Sequence, residues 1–132
     1  MNECTRLLDK NSPIEIVELE KFLAAIDFIP PADYIDFMKL HNGAEGAIGN
    51  NAYLNLWPIE ELINLNTDLK VQLYAPGYFI FGSDGGGSAF AFNKSDSSTA
   101  EFALIGMLIE DNPWPRGATF HAFLKYLDQT CL

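Results

Sequence analysis

Two aromatic runs separated by a glycine-rich hexapeptide constrain the fold more than any other feature of this chain. Tyr78-Phe79-Ile80-Phe81-Gly82 and Ala89-Phe90-Ala91-Phe92-Asn93 flank Ser83-Asp84-Gly85-Gly86-Gly87-Ser88. Aromatic and β-branched residues favour strands, and glycines supply the positive φ that tight hairpin turns demand. The pattern predicts an antiparallel β-hairpin with Gly85 to Gly87 at its turn. The same glycines fit no phosphate cradle. A P-loop or a dinucleotide fingerprint opens a helix, and here the glycines lead into a strand.

Helical signals lie on both sides of the hairpin. Ser12-Pro13-Ile14-Glu15 has the form of a capping box and predicts a first helix to about Ile26, with Ile16, Leu19, Phe22, Leu23 and Ile26 on one face. Residues 1–11 show weak periodicity, so order is expected to begin at Ser12, with a mobile or loosely docked start before it. Pro30-Pro31 ends any continuation. A second helix starts on Pro31, turns Tyr34, Phe37 and Met38 to one side, and stops at Asn42-Gly43.

Ala44 to Asn51 reads as a glycine-rich loop leading into a strand from Asn51 to Trp57, and Trp57 is assigned to the core. Pro58 opens a short helix through Ile59, Leu62, Ile63 and Leu65. Leu69, Val71 and Leu73 alternate with polar residues and suggest a further extended stretch. Beyond the hairpin come a polar turn from Lys94 to Thr99 and a strand from Glu101 to Met107. Asn112-Pro113-Trp114-Pro115-Arg116-Gly117 is expected to be a loop. Thr119 caps a closing helix with Phe120, Phe123, Leu124 and Leu127 on one stripe. Strands in succession between helical ends predict an α+β fold, a central and mainly antiparallel sheet flanked by N-terminal and C-terminal helices. The whole chain, 1–132, fits one domain.

Charge narrows the partners. Eighteen acidic residues against eight basic ones leave a net charge of −10. Such a chain lacks the Lys and Arg that displace phosphate counterions, so nucleic acid is not an expected partner. A basic protein is, because opposite charge raises the encounter rate and suppresses wrong partners. Cys4 and Cys131 are too few and too far apart for a disulfide framework or a zinc cluster. No apolar stretch reaches signal-peptide or membrane-span length, so the expected compartment is the cytoplasm and no membrane partner is expected.

No catalytic residue, metal site or cofactor is expected. His41 beside a helix C-terminus and His121 in the first turn of the last helix are the neutral-pH candidates, and neither lies in a known motif. Ser83 and Ser88 lack the GxSxG setting of a nucleophile elbow. Glu60-Glu61, Glu110-Asp111, Asp68 and Asp84 show no calcium-loop spacing. What remains is a partner-binding surface. Asp84 at the hairpin tip, with Glu110 and Asp111, would supply its charge, and Trp114, between two prolines, an exposed apolar anchor.

The order of these pieces resembles the SUKH superfamily, whose members include bacterial toxin-immunity proteins and fungal regulators of cell-wall assembly. The matching residues run from Ile29-Pro30-Pro31-Ala32-Asp33-Tyr34 and Phe37 through Asn42-Gly43 and Leu54-Asn55-Leu56-Trp57. They continue through Phe81-Gly82-Ser83-Asp84-Gly85-Gly86-Gly87 and Ala91-Phe92-Asn93 to Thr119-Phe120 and Phe123-Leu124. The resemblance spans about Ile14 to Leu127. It implies helices flanking a central sheet, no shared catalytic residue, and specificity carried by a variable surface. The function it implies is an immunity protein that binds and neutralises a cognate toxin of a polymorphic toxin system. The alternative is a non-catalytic regulatory or scaffolding protein like the fungal regulators, and a third reading is a hydrolase using His41 or His121.

Overall fold

The aromatic runs pair as the sequence predicts. The computed structural model describes residues 5–49, 52–104 and 113–128. In it strands β4 (Tyr78–Ser83) and β5 (Ser88–Asn93) form an antiparallel hairpin, with Phe79 opposite Phe92 and Ile80 opposite Ala91. The register shifts between Ile80 and Gly82, so Phe81 and Gly82 share the space one residue would take. Phe81 lies on the same face as Phe92, and the two rings stack with centroids 4.1 Å apart. Only glycine fits at position 82, because a Cβ there would lie 2.6 Å from the Asn55 carbonyl oxygen.

Five further strands extend the sheet: β1 (Asp9–Lys10), β2 (Ala44–Ile48), β3 (Ala52–Leu56), β6 (Thr99–Ala103) and β7 (Trp114–Gly117). Strand order follows chain order and every neighbouring pair is antiparallel. The helices are α1 (Ile16–Ala25), α2 (Ala32–Leu40), α3 (Ile59–Asp68), α4 (Val71–Tyr74) and α5 (Phe120–Leu127). The α+β class with helices flanking an antiparallel sheet is therefore the observed architecture.

Alternation along the strands sorts the core into two layers. Phe79, Phe81, Phe90, Phe92, Leu54 and Leu56 meet Leu19 and Phe22 of α1, Tyr34, Phe37 and Met38 of α2, and Phe120, Phe123 and Leu124 of α5. Tyr34 sits edge-on to Phe92, Phe81 and Phe120 at 4.8, 5.7 and 5.3 Å. Each such buried ring contributes about 1.5–3 kcal/mol by burial alone. On the opposite face Ile80, Ala89, Ala91 and Phe102 pack against Val71 and Ala75. Trp57 is half-buried and touches both layers, so it joins two clusters where a place in one core was expected.

Several local expectations give way to tertiary pairing. The capping box at Ser12 does not form: α1 begins at Ile16, with Glu15 as an N-cap that makes no side-chain bond. The reason is that Asn11 and Ser12 continue the ladder begun by β1. The Asn11 N–H donates to Gly43 O at 3.0 Å and the Asn42 N–H to Ser12 O at 2.9 Å, which holds the segment extended. Residues 9–10, expected to precede the ordered part, are an edge strand, and Thr5 and Leu8 beside them are buried. Ile16 and Leu23, expected on the buried stripe of α1, are exposed.

Residues 44–48, expected to be loop, form β2 because each finds a partner in β3. Leu69 to Leu73 is not extended: Lys70 takes the left-handed conformation at φ 55° and starts α4, which buries Val71 and leaves Leu73 exposed. The stretch around Trp114 is strand β7, against the expected loop. Pro115 is tolerated there because β7, among the described residues, pairs on one side only and an edge strand does not need every N–H. β6 ends at Ala103, and the expected continuation past Leu104 to Met107 lies outside the described residues.

Candidate partner-binding face

Among the described residues the second sheet face is only half covered. Where β4, β5 and β6 run beneath α4 it is apolar and closed. Toward β1, β2 and β3 no comparable layer of described residues covers it. There the ladder aligns Asp9 with Glu45, Glu45 with Asn55, Ala47 with Tyr53, and Asn55 with Ser83. Paired residues point the same way, and i, i+2 residues share a face. Asp9, Glu45, Ala47, Tyr53 and Asn55 therefore project together, and of these Asp9, Glu45, Ala47 and Tyr53 are exposed. Their alternates Ala44, Ile48, Leu54 and Leu56 are buried in the aromatic layer.

Tyr53 organises this half-face. Its hydroxyl donates to Glu45 Oε2 across the diagonal of the β2–β3 pair. That bond is the largest cause holding the Tyr53 proton above its ordinary affinity, followed by desolvation and by the charges of Glu45 and Asp9. The hairpin tip borders the ring on another side, since a Cβ on Gly85 would approach Tyr53 Cδ2 to 3.3 Å.

Asp84 proves to be partly structural. Its Oδ1 accepts from the N–H groups of Gly86 at 2.8 Å and Ser88 at 3.1 Å, which locks the turn. One carboxylate oxygen is occupied, and the half-buried residue precedes Gly85, the glycine that borders the Tyr53 ring. Trp114 is 46% exposed, as an anchor requires. It does not share a face with Asn55 and Tyr53, however: it stands opposite Glu101, which stands opposite Phe90 of the helix-covered side. Glu101 is held there by Arg116, whose Nε lies 2.9 Å from Glu101 Oε1 and whose guanidinium rests 4.5 Å over the Tyr126 ring. Glu110 and Asp111 lie outside the described residues.

A second acidic hollow of about 590 Å³ lies between the segment 11–18 and the start of α3, with Glu15, Glu18, Glu60 and Glu61 around it. Two of these carboxylates have local partners. Lys21 approaches Glu18 at 3.7 Å, and the Asn42 carboxamide bonds Glu60 while accepting from the Ile59 N–H.

Neither histidine is hydrogen-bonded to a hydroxyl among the described residues. His41 Nδ1 lies 3.3 Å from Asn11 O, and the ring leans on Phe37. The His121 backbone N–H donates to Asp33 Oδ2 at 2.9 Å, and its Nδ1 is buried without a hydrogen-bond partner among the described residues. The Ser83 hydroxyl accepts from the Gly85 N–H. Among the described residues no hydrogen bond joins a serine to either histidine, and no group of three or more His, Cys, Asp or Glu is placed to hold a metal. Nor is any helix there long and apolar enough to cross a membrane.

The SMI1 / KNR4 family (SUKH-1) matches residues 10–126 of this sequence, most of its length. The chain belongs to that family. No curated protein matches it. Within this SUKH-1 domain the sequence singles out Asp84 and not Asp9, Glu45 or Tyr53, which the strand register sets side by side. The alternation Tyr53-Leu54-Asn55-Leu56 was the available signal for Tyr53. Glu45 was hidden because its strand is built from Ala and Gly, which are poor strand formers outside a ladder.

Proposed function

We propose that this SUKH-1 domain is a non-catalytic protein-binding module, and specifically a cytoplasmic immunity protein that binds and neutralises a cognate basic toxin domain. The observation that supports it is the uncovered half of the sheet, where Asp9, Glu45 and Tyr53 stand exposed on consecutive paired strands. An exposed sheet face with a polar, aromatic surface costs a monomer little, and it gives a partner a rigid platform. The net charge of −10 adds long-range attraction for a basic partner. Family membership supports the class, and the toxin as partner is our inference from charge.

The test is co-expression. The product of a neighbouring reading frame that encodes a secreted toxin should arrest growth when expressed alone, and should be harmless and co-purify when this chain is present. If arrest persists and no complex forms, immunity is the wrong reading. A partner recovered from the native host that is a cell-envelope or signalling protein would then favour the regulatory alternative.

A further inference from the structure

We propose that Tyr53 and Glu45 form the seat for an arginine side chain of that basic partner, with Asp9 and Asp84 as flanking charges. This deepens the binding reading above and rests on it.

Internal partnering separates these carboxylates from three others on the molecule. Glu18, Asp27 and Glu101 each face a cation of the same chain, Lys21, Lys94 and Arg116. Among the described residues Asp9, Glu45 and Asp84 have none. Glu45 spends Oε2 on the Tyr53 hydroxyl and Asp84 spends Oδ1 on two backbone N–H groups, which leaves Glu45 Oε1 and Asp84 Oδ2 unengaged. The strand positions that project on this half-face, Asp9, Glu45, Ala47, Tyr53 and Asn55, include no basic residue. A cation that engages these oxygens would come from a partner.

Geometry selects guanidinium over ammonium. A guanidinium satisfies a carboxylate with directed N–H bonds while its plane stacks on an aromatic ring, whereas an ammonium does only the first well. Tyr53 offers such a ring, 37% exposed, and its bond to Glu45 fixes ring and carboxylate relative to each other. Ala47, paired with Tyr53, is too small to cover it. Gly85 leaves room beside the ring on the tip side, where a Cβ would lie 3.3 Å from Tyr53 Cδ2.

The test is a titration of the isotope-labelled full chain with two peptides, one of alternating glycine and arginine and one of alternating glycine and lysine, followed by amide chemical shifts. At about 20 mM salt, where screening is weak, the arginine peptide should shift the amides of Glu45, Tyr53 and Asn55 and of the tip. It should bind several-fold tighter than the lysine peptide. Tyr53→Ala and Glu45→Gln should each weaken it by about tenfold, the scale of one lost stacking or charged contact. Asp84→Asn, which keeps an acceptor for the turn, should weaken it less, and Glu60→Gln/Glu61→Gln should leave it unchanged. Unaltered thermal melts will show that the variants fold. Shifts centred on Glu15, Glu18, Glu60 and Glu61, equal affinity for the two peptides, or no shifts at all would each overturn the seat. None of these would overturn protein binding itself, which the co-expression experiment decides separately.

Discussion

The Asn66 carboxamide does the work of a strand beside Ile80. β3 pairs with β4 only at Asn55 and Leu56, opposite Ser83 and Gly82, and the chain then turns away into α3. Ile80 would be left with a bare backbone edge in the core. Asn66 fills it: Nδ2 donates to Ile80 O at 2.8 Å and Oδ1 accepts from the Ile80 N–H at 2.7 Å. One side chain thus reproduces both ladder bonds that a paired residue would make.

Asn66→Ala should therefore cost about 2–4 kcal/mol, because it strands a donor and an acceptor that are each worth about 1–3 kcal/mol when buried and unpaired. Urea unfolding should show a lower midpoint with an unchanged slope. Asn66→Asp keeps the acceptor and loses the donor, and its destabilisation should fall between the two. A neutral Asn66→Ala would mean that water replaces the carboxamide at no cost.

Tyr34→Phe should stabilise the protein. Tyr34 is fully buried, and its hydroxyl has no hydrogen-bond partner among the described residues. Removing an unsatisfied polar group of this kind raises stability by about 1 kcal/mol. Burial also pushes the hydroxyl proton affinity far above its ordinary value of 10.0. A group whose folded affinity is raised lends stability that is complete below its unfolded value and is lost as pH rises through the folded one. Wild-type stability should thus decline above about pH 10, and that alkaline limb should flatten in Tyr34→Phe. Melts across alkaline pH check both effects.

Asp33→Ala should loosen the start of α5. The Asp33 carboxylate accepts from the N–H groups of Phe120 at 3.3 Å and His121 at 2.9 Å, while Thr119 Oγ1 accepts from Ala122 at 3.0 Å. Losing such a cap costs about 0.5–2 kcal/mol. The amides of Phe120 and His121 should lose hydrogen-exchange protection more than that of Ala122. Thr119→Ala should reverse that order.

Trp57→Ala should cost about 2–3 kcal/mol, at or below the low end for large aromatic deletions, because the ring is half-buried. Since Trp57 touches both layers, its loss should weaken their coupling, and the slope of denaturant unfolding should change together with the midpoint. A shift of midpoint alone would mean that the layers stay coupled through the sheet.

Tyr53 should ionise late. Its raised proton affinity has the Glu45 hydrogen bond as first cause, so Glu45→Gln should move its titration midpoint down toward 10.0. The phenolate absorbance difference between wild type and Tyr53→Phe isolates this tyrosine. An unmoved midpoint in Glu45→Gln would show that the bond is not populated in solution.

The hairpin, the second helix with Tyr34, Phe37 and Met38 inward, and the Thr119 cap were legible because each depends on residues close in the chain. Alternating aromatics, a proline-started turn of helix and a threonine before Phe120 carry their own local physics, and the fold class followed from their order. The failures have one cause. Ser12-Pro13-Ile14-Glu15 is a good local cap, but Asn11 and Ser12 gain more by pairing with Asn42 and Gly43, about thirty residues away. Ala44 to Ile48 is a poor strand by composition and becomes one because β3 offers it a full ladder.

The candidate site divides in the same way. Sequence alone determined the acidic balance, the glycine tip beside Asp84 and the absence of a recognisable catalytic motif. Only the tertiary structure decided that Asp84 turns one oxygen inward to hold its own turn, that Trp114 belongs to the other side of the sheet, and that Asp9, Glu45 and Tyr53 stand together. Strand register made that choice: a shift of one residue between β2 and β3 would set Glu45 opposite Leu54 or Leu56 and so on one face with them, and burial of those leucines forbids it.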